Sequence, residues 1–230
     1  MAESFDSYRT AYGKLVEDSI SFSGLQHDFF LAAKADLLER LLADRGLASG
    51  NRPVHALDVG CGIGAFHPLL RGRFASLSGC DISGDSIARA RHDNSWVDYT
   101  VHRAPSLPYK DGRFDLAFAI CVVHHVPPAQ WPAFLGELKR VVRPGGIACI
   151  IEHNPYNPLT RFAVLRCPFD EDAVLLTSRT ARRLFYQAGF SEIESEHFLL
   201  LPSAKPLARM IEKSFARVPL GAQYACIARA

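Results

Sequence analysis

The chain has 230 residues, 48% of them hydrophobic, enough for one domain with a sizeable buried core. Its formal net charge of +2 gives no electrostatic reason to expect a nucleic acid or an anionic membrane surface as partner. The six cysteines include no C-x-x-C pair, which favours reduced thiols and a cytoplasmic protein over a disulfide framework. The first residues lack the build of a signal peptide, and the longest uncharged run, 116–136, contains two histidines and three prolines, so no membrane span is expected.

The N-terminal stretch is rich in aromatic residues and precedes the first predicted helix. Apolar residues at helical spacing predict that helix over Asp28–Asp44, ended by Gly46. The simplest interpretation is a helix that packs on a sheet. The alternative concerns the segment before it, Tyr8–His27, which would fold over the ligand cleft as a lid and line the substrate pocket with its aromatic residues and His27.

A glycine-rich loop follows the first predicted strand. The apolar run Val54–Val59 stops at Gly60, Gly62 and Gly64, which predicts a buried strand, a loop and then a helix over Ala65–Phe74. Glycine permits positive φ angles and lets a ligand approach backbone N–H groups closely. The loop is therefore expected to hold a ligand.

Two classes of ligand use such a loop. Gly60, Gly62 and Ala65 fit the dinucleotide fingerprint G-x-G-x-x-G/A, with Asp81 where a ribose-binding acid belongs, so an NAD(P)-dependent oxidoreductase is one alternative. Asp58 and the third glycine instead fit the pattern D-x-G-x-G-x-G. A carboxylate at this place repels a pyrophosphate and attracts the ammonium and sulfonium groups of S-adenosylmethionine.

Strands and helices alternate through the middle of the chain. Strands are predicted over Ala75–Cys80, Val97–His102, Phe114–Val123 and Ile147–Glu152, and helices over Asp85–Asp93 and Ala129–Val142. The C-terminal end is predicted as helix Ser178–Ala188, strand Ile193–Leu201, helix Ala204–Arg217 and strand Gln223–Ala228. The alternation indicates a parallel sheet with helices on both faces. The closing strands indicate an antiparallel hairpin whose last strand lies beside the fifth.

The order and spacing of these segments resemble the class I S-adenosylmethionine-dependent methyltransferases of type 11 or 12. The resemblance rests on the glycine motif, on Asp111–Leu116 followed by Val122–Val126, and on Leu138–Gly146. It covers roughly Val54–Glu152, with weaker similarity to Gly189. It implies an α/β fold, with a Rossmann-like, doubly wound, seven-stranded and mostly parallel sheet, an antiparallel C-terminal hairpin and helices on both faces.

The resemblance also implies how the chain is organised and what it does. A single domain, 1–230, would comprise an N-terminal helical cap or lid (1–50), a cofactor-binding core (51–152) and an acceptor-shaping segment with helices and closing strands (153–230). The implied reaction moves a methyl group from S-adenosylmethionine to an oxygen, nitrogen or sulfur atom of a small-molecule acceptor. A monomer or homodimer is expected.

By the same resemblance, Asp58 and Gly60 hold the amino-acid end of the cofactor and Asp81 binds the ribose hydroxyls; for Asp81 a role in the turn is the alternative. Open sheets of this kind bind ligands beyond the carboxyl ends of their strands, here between the first and fourth. The expected cofactor-binding residues are Asp58, Gly60, Cys61, Gly62, Asp81, Ile82, Arg103, Ala104 and Ile120.

Arg103 departs from the family pattern, in which an acid often contacts the adenine amino group. Arginine can stack on a purine but cannot accept the amino proton, although Ala104 can offer its backbone N–H. This departure supports a third alternative, a non-catalytic binding module with the methyltransferase fold.

Histidines are the candidate general bases. Methyl transfer mainly requires alignment, and a base is needed only for a poorly ionised acceptor. His124, His125 and His153 follow the fourth and fifth strands, although a structural role is the alternative for each. Adjacent residues of an extended chain point to opposite sides, so His125 is favoured and His124 is expected to pack under the next helix. No metal ion is expected, because no carboxylate or thiolate stands at a familiar ligand spacing.

The segment Glu152–Thr177 is longer than a usual connection and rich in Asn and Pro. Because it leaves the fifth strand on the ligand side, it is expected to shape the acceptor pocket. Arg161 and Arg166 either bind an anionic group of the acceptor or are solvated. The end of the fourth strand holds Cys121–His125 instead of the Asn/Asp-Pro-Pro-aromatic motif that grips a nucleobase, so a small molecule is favoured over a nucleic acid.

Overall fold

The computed structural model describes residues 17–47, 52–103, 106–201, 203, 210, 212 and 214–230. Seven strands form one sheet in the order β3-β2-β1-β4-β5-β7-β6. The strands are β1 (His55–Val59), β2 (Ser76–Asp81), β3 (Asp98–Val101), β4 (Phe114–Ile120), β5 (Val142–His153), β6 (Ser191–Phe198) and β7 (Gln223–Arg229). The α-helices with both ends among the described residues are α1 (His27–Asp44), α2 (Gly84–Asp93), α3 (Trp131–Val141), α4 (Pro158–Arg166) and α5 (Ser178–Gln187). All pairs are parallel except those of β7 with β5 and β6.

The apolar strands are covered on both faces, as a parallel sheet requires. Along β4, Ala117 packs in the cluster that contains α3 and α5, whereas Phe118 packs in the cluster that contains α1 and α2. The antiparallel β7 lies between β5 and β6. The predicted fold class is therefore confirmed, and the closing strands differ from the parallel dinucleotide domain that the oxidoreductase alternative requires.

The predicted helix Ala65–Phe74 is wrong. A short 3-10 turn, His67–Leu70, stands there, and Gly72 follows at a φ of +77°. Pro68 supplies no N–H for a helical hydrogen bond, and the left-handed glycine ends the turn. The turn places His67 in the interior, where its side chain is fully buried.

The fourth strand ends at Ile120, earlier than predicted. Cys121 adopts a φ of +56°, and a 3-10 turn, Val123–His125, follows. The two histidines therefore do not stand on an extended backbone, and the prediction that they point to opposite sides is wrong: their ring centroids are 4.1 Å apart.

Other boundaries agree with the predictions to within a few residues, except that β5 begins at Val142 instead of Ile147, with a register irregularity against β4. Most of the predicted helix Ala204–Arg217 and the first half of the predicted lid lie outside the described residues. None of the described helices has the length and apolar character needed to cross a membrane.

Candidate active site

A cavity of about 710 Å³ opens at the carboxyl ends of the parallel strands. Its wall includes Val59 of β1, Asp81 of β2, Ile120 of β4 and His153 of β5. Further wall residues come from the segment before and within α1, among them Ser19, Phe22, His27 and Phe30, and from the segment 157–170 after β5. The cavity therefore lies where the sequence placed the ligand, between β1 and β4.

The glycine loop forms one wall of this cavity. Gly60 and Gly62 have φ angles of +76° and +52°. A Cβ on Gly60 would lie 2.6 Å from a methyl carbon of Val122, so this position has no room for a side chain. A Cβ on Gly62 would meet nothing within 4 Å, and Gly62 lines the cavity. The loop thus exposes bare backbone to a ligand at Gly62.

Asp58 has one carboxylate oxygen in a hydrogen bond and one without a partner. Its Oδ2 lies 2.9 Å from Nε2 of His67, whose Nδ1 contacts the Tyr99 hydroxyl. Its Oδ1 is buried and has no hydrogen-bond partner, and Asp58 lines the cavity. A buried anionic oxygen of this kind requires a donor, and the ammonium group of S-adenosylmethionine fits that need. His67 carried no sequence signal as a partner, because it stood in a segment predicted to be an ordinary helix.

Asp81 accepts two backbone hydrogen bonds at the turn after β2. Its Oδ2 accepts from the Gly62 N–H at 2.8 Å and its Oδ1 from the Ser83 N–H at 2.9 Å. Burial raises the pKa of this carboxyl, and the bonds from Ser83 and Gly62 oppose the shift. Asp81 thus makes the turn contacts of the structural alternative, and each oxygen retains acceptor capacity for a ribose hydroxyl.

The remaining predicted cofactor residues divide into two groups. Cys61, Ile82 and Ile120 line the cavity, whereas Arg103 is exposed and does not line it. Ala104 lies outside the described residues. His102, which sequence reasoning missed, lines the cavity in place of Arg103, and its buried Nδ1 has no partner.

His124 is held between two carboxylates. Its side chain is 1% exposed, and its Nδ1 lies 2.5 Å from Oε2 of Glu152. The other oxygen of Glu152 accepts the backbone N–H groups of Val122 and Val123 at 3.1 and 2.7 Å. Burial alone would lower the pKa of His124, but Glu152 and Asp170 outweigh it and hold that pKa well above its usual value.

His125 and Asp170 complete a cavity corner with His124. Oδ1 of Asp170 lies 3.4 Å from Nε2 of His124 and 3.6 Å from Nε2 of His125. Burial and the charge of His124 lower the pKa of His125 to about 4, so its imidazole is neutral at pH 7. The ring of His153 stands 5.1 Å from that of His124.

Asp170 overturns the reason for excluding a metal ion. The structure brings a carboxylate to the two histidines, and these three residues each offer a ligand atom within 4.8 Å of the others. No local spacing could reveal this, because Asp170 follows in a 3-10 turn, Pro168–Asp170, far along the chain from the histidines.

Lys34 and Cys121 form a second polar corner that the sequence did not indicate. The Lys34 side chain is buried in the cavity wall, and its Nζ lies 3.7 Å from Sγ of Cys121. Burial would raise the pKa of this thiol, but the Lys34 ammonium and His153 lower it to about 7. Arg161 and Arg166, by contrast, are exposed and do not line the cavity, which agrees with solvated side chains.

Comparison with known proteins identifies the class of this fold and site. The family model for the methyltransferase domain matches residues 57–150. The fold is similar to that of an S-adenosylmethionine-dependent methyltransferase of Thermotoga maritima, with a TM-score of 0.67 and 19% identity over 100% of this chain and 99% of that one.

Curated relatives of this chain are also methyltransferases. An uncharacterized methyltransferase of Synechocystis sp. is 32% identical over 144 residues, 60% of this chain and 66% of the relative. The malonyl-[acyl-carrier protein] O-methyltransferase of Serratia marcescens is 31% identical over 142 residues, 60% of this chain and 52% of the relative. The chain belongs to the class I S-adenosylmethionine-dependent methyltransferases, and its cofactor is S-adenosylmethionine. The matched regions span about half to two thirds of the length of these curated relatives.

Proposed function

We propose that the chain transfers a methyl group from S-adenosylmethionine to an oxygen, nitrogen or sulfur atom of a small-molecule acceptor. The observation that carries this proposal is a cavity with two chemically different ends. One end has the bare backbone at Gly62 and the unpartnered oxygen of Asp58; the other has the corner of His124, His125 and Asp170.

The residues of the first end suit a cationic nucleoside. When bound, S-adenosylmethionine supplies a methyl group on a positively charged sulfur, which is already an activated leaving group. Oδ1 of Asp58 would accept a hydrogen bond from the ammonium group, an interaction that such a buried acceptor lacks in the chain alone. Asp81 would bind the ribose through the acceptor capacity that its two backbone bonds leave.

The second end suits an acceptor that is partly apolar. The cavity is also lined by apolar side chains, among them Phe22, Phe30, Leu159 and Phe169. The described part of the predicted lid, residues 17–27, contributes to this lining. We propose that this wall excludes water and aligns the acceptor, which accounts for most of the rate in a reaction of this type. The chemistry named for the Serratia relative, methylation of an oxygen, is compatible with this corner.

The histidines are the proposed acceptor-activating groups. His124, His125 and His153 all line the cavity. The low pKa of His125 leaves its imidazole neutral at pH 7 and able to take a proton from an acceptor hydroxyl or amine, whereas the raised pKa of His124 favours its protonated form. His125 remains the favoured residue because its side chain is 20% exposed, against 1% for His124. All six cysteines are free, which supports the proposal of a reducing, cytoplasmic location.

A methyl-transfer assay tests the proposal. The full chain would be incubated with S-adenosylmethionine labelled in its methyl group and with fractionated metabolite extracts, and labelled products would be identified by mass spectrometry. The proposal expects label in a small molecule. Binding of the cofactor without turnover of any fraction would favour the non-catalytic module, and binding of NAD(P) without S-adenosylmethionine would favour the oxidoreductase.

A further inference from the structure

We propose that His124, His125 and Asp170 bind a divalent transition-metal ion such as Zn²⁺ on the acceptor side of the cavity. The inference deepens the proposed function and rests on it for the role of the ion, which would be to hold and polarise an oxygen atom of the acceptor. The binding site itself rests on the geometry of the three side chains.

The separations between the side chains suit ligands of one ion better than hydrogen bonds. Oδ1 of Asp170 lies 3.4 Å from Nε2 of His124 and 3.6 Å from Nε2 of His125. Hydrogen bonds between N–H and O are usually about 2.7–3.2 Å long, so both contacts are long for that purpose. Ligand atoms bound to one zinc ion at about 2.0–2.2 Å in tetrahedral geometry stand roughly 3.3–3.5 Å apart.

A second observation, independent of these distances, is the contact between Glu152 and the other ring nitrogen of His124. Glu152 contacts Nδ1 of His124 at 2.5 Å, and because a carboxylate accepts, Nδ1 carries the proton. Glu152 is in turn fixed by the backbone N–H groups of Val122 and Val123. A histidine that binds a metal almost always donates its other ring nitrogen to such a partner. This arrangement directs Nε2 of His124 toward Asp170.

The donor set defines the kind of ion and leaves it accessible. Two imidazoles with one carboxylate are the ligands of catalytic zinc and of non-haem iron sites, in which a further coordination position stays open. All three residues line the cavity, so the open position would face the acceptor. The ion would lower the pKa of an acceptor hydroxyl. The O–H bond would then break, its proton would pass to solvent, and the electron pair would stay on the oxygen. That oxygen would attack the methyl carbon of S-adenosylmethionine while the S–CH3 bond breaks, with its electron pair left on the sulfur of the departing S-adenosylhomocysteine.

The proposed metal site also assigns a role to part of the long segment after β5. The segment returns across the histidines, where the Val174 N–H donates to the carbonyl of His124 at 2.8 Å. Its 3-10 turn places Asp170 beside both rings.

Metal titration of the full chain tests the site. The protein would be stripped with a chelator and titrated with Zn²⁺ by calorimetry and with Co²⁺ by visible absorption. We expect stoichiometric binding of either ion. Asp170→Asn and His125→Ala should each weaken it by more than about tenfold, since even the loss of an outer-shell partner costs about 10–100-fold.

Two controls match these variants. Asp172→Asn changes an exposed acid of the same segment, and His92→Ala removes an exposed histidine that stands beside Asp93, an adventitious His–Asp pair. Neither should change metal affinity. Circular dichroism would verify that each variant is folded. If Asp170→Asn is unfolded, the metal affinity of His125→Ala decides the test.

Binding of S-adenosylhomocysteine to the metal-free protein separates the two proposals. Cofactor binding without stoichiometric metal binding, or with metal affinity unchanged in both variants, overturns the metal site and leaves the methyltransferase function standing. Metal binding that the variants abolish, in a protein that binds no S-adenosylhomocysteine, supports the site and overturns the proposed function.

Discussion

The ammonium of Lys34, on α1, lies 3.7 Å from the thiol sulfur of Cys121, which follows β4 at a φ of +56°. Among the described residues, no carboxylate lies within ion-pair distance of this buried ammonium. The arrangement predicts an unusually acidic thiol in the cavity wall. The pKa of Cys121 is lowered to about 7 because Lys34 and His153 outweigh the effect of burial.

Alkylation of Cys121 should therefore reach half its maximal rate near pH 7. An ordinary thiol would titrate at about 8.5. Lys34→Met should move the midpoint upward because it removes the cation that stabilises the thiolate. The rate would be followed with iodoacetamide and peptide mass spectrometry, with Cys121→Ser as the control for labelling of other thiols. An identical midpoint in Lys34→Met would contradict the role given to the ammonium.

Gly62→Arg should abolish binding of S-adenosylhomocysteine and leave the chain folded. The new side chain would start in open space within the cavity wall and occupy the crevice. Gly62→Ala is the matched control, since it has the same strain at a φ of +52° but adds only a methyl group. Calorimetry should detect binding of S-adenosylhomocysteine to the alanine variant. Equal affinities of the two variants would show that the loop does not contact the cofactor.

Asp81→Ala should weaken binding of S-adenosylhomocysteine by ~1.5–3 kcal/mol, the range for hydrogen bonds to a charged group. The reason is the loss of the carboxylate proposed to bind the ribose. Asp85→Ala, an exposed acid in the first turn of α2, is the control. Thermal unfolding would be measured in parallel, because Asp81 also accepts the N–H groups of Gly62 and Ser83. A loss of affinity no larger than that of the control would count against the ribose role.

Gly60→Ala should lower the free energy of unfolding by about 1–3 kcal/mol, as overpacking does. The added Cβ would lie 2.6 Å from a Val122 methyl carbon. Val122→Ala should recover part of this loss in the double variant, whereas the strain of a φ of +76° would remain. Chemical denaturation of the four proteins of this cycle measures the coupling, and strictly additive effects would mean that the two side chains do not meet.

His125→Ala should reduce turnover far more than affinity for S-adenosylhomocysteine. Nε2 of His125 lies 3.6 Å from Oδ1 of Asp170 in the acceptor corner, whereas the cofactor is proposed to bind at Asp58 and Asp81. As a base in the metal-free protein, His125 would contribute about 10²–10⁴-fold in rate. The control is His92→Ala, an exposed histidine outside the cavity. Equal turnover in wild type and His125→Ala would leave alignment alone as the source of the rate.

The sequence predicted those parts of the fold that depend on local patterns. The apolar run of β4 and the alternation of strands and helices indicated the sheet, because strands buried on both faces read as nearly continuous hydrophobic segments. The glycine motif and Asp81 indicated the crevice because each directly follows a parallel strand, and ligands bind beyond the carboxyl ends of such strands.

The sequence could not predict contacts between distant segments. Asp170 meets His124 and Lys34 meets Cys121 only after the chain has folded, and neither acid nor cation stood at a spacing that marks a site. The contact of His67 with Asp58 was not predicted, because a helix was expected where a short turn with Pro68 and Gly72 stands. Arg103, which the family pattern placed at the adenine, is exposed outside the cavity, and His102 lines it instead.

A crystal structure of the full chain with S-adenosylhomocysteine tests the central claim most directly. The account predicts its amino group within hydrogen-bond distance of Oδ1 of Asp58, its ribose at Asp81 and its sulfur directed toward the corner of His124, His125 and Asp170. A nucleoside bound elsewhere, with this crevice filled by side chains of the protein itself, would contradict the account.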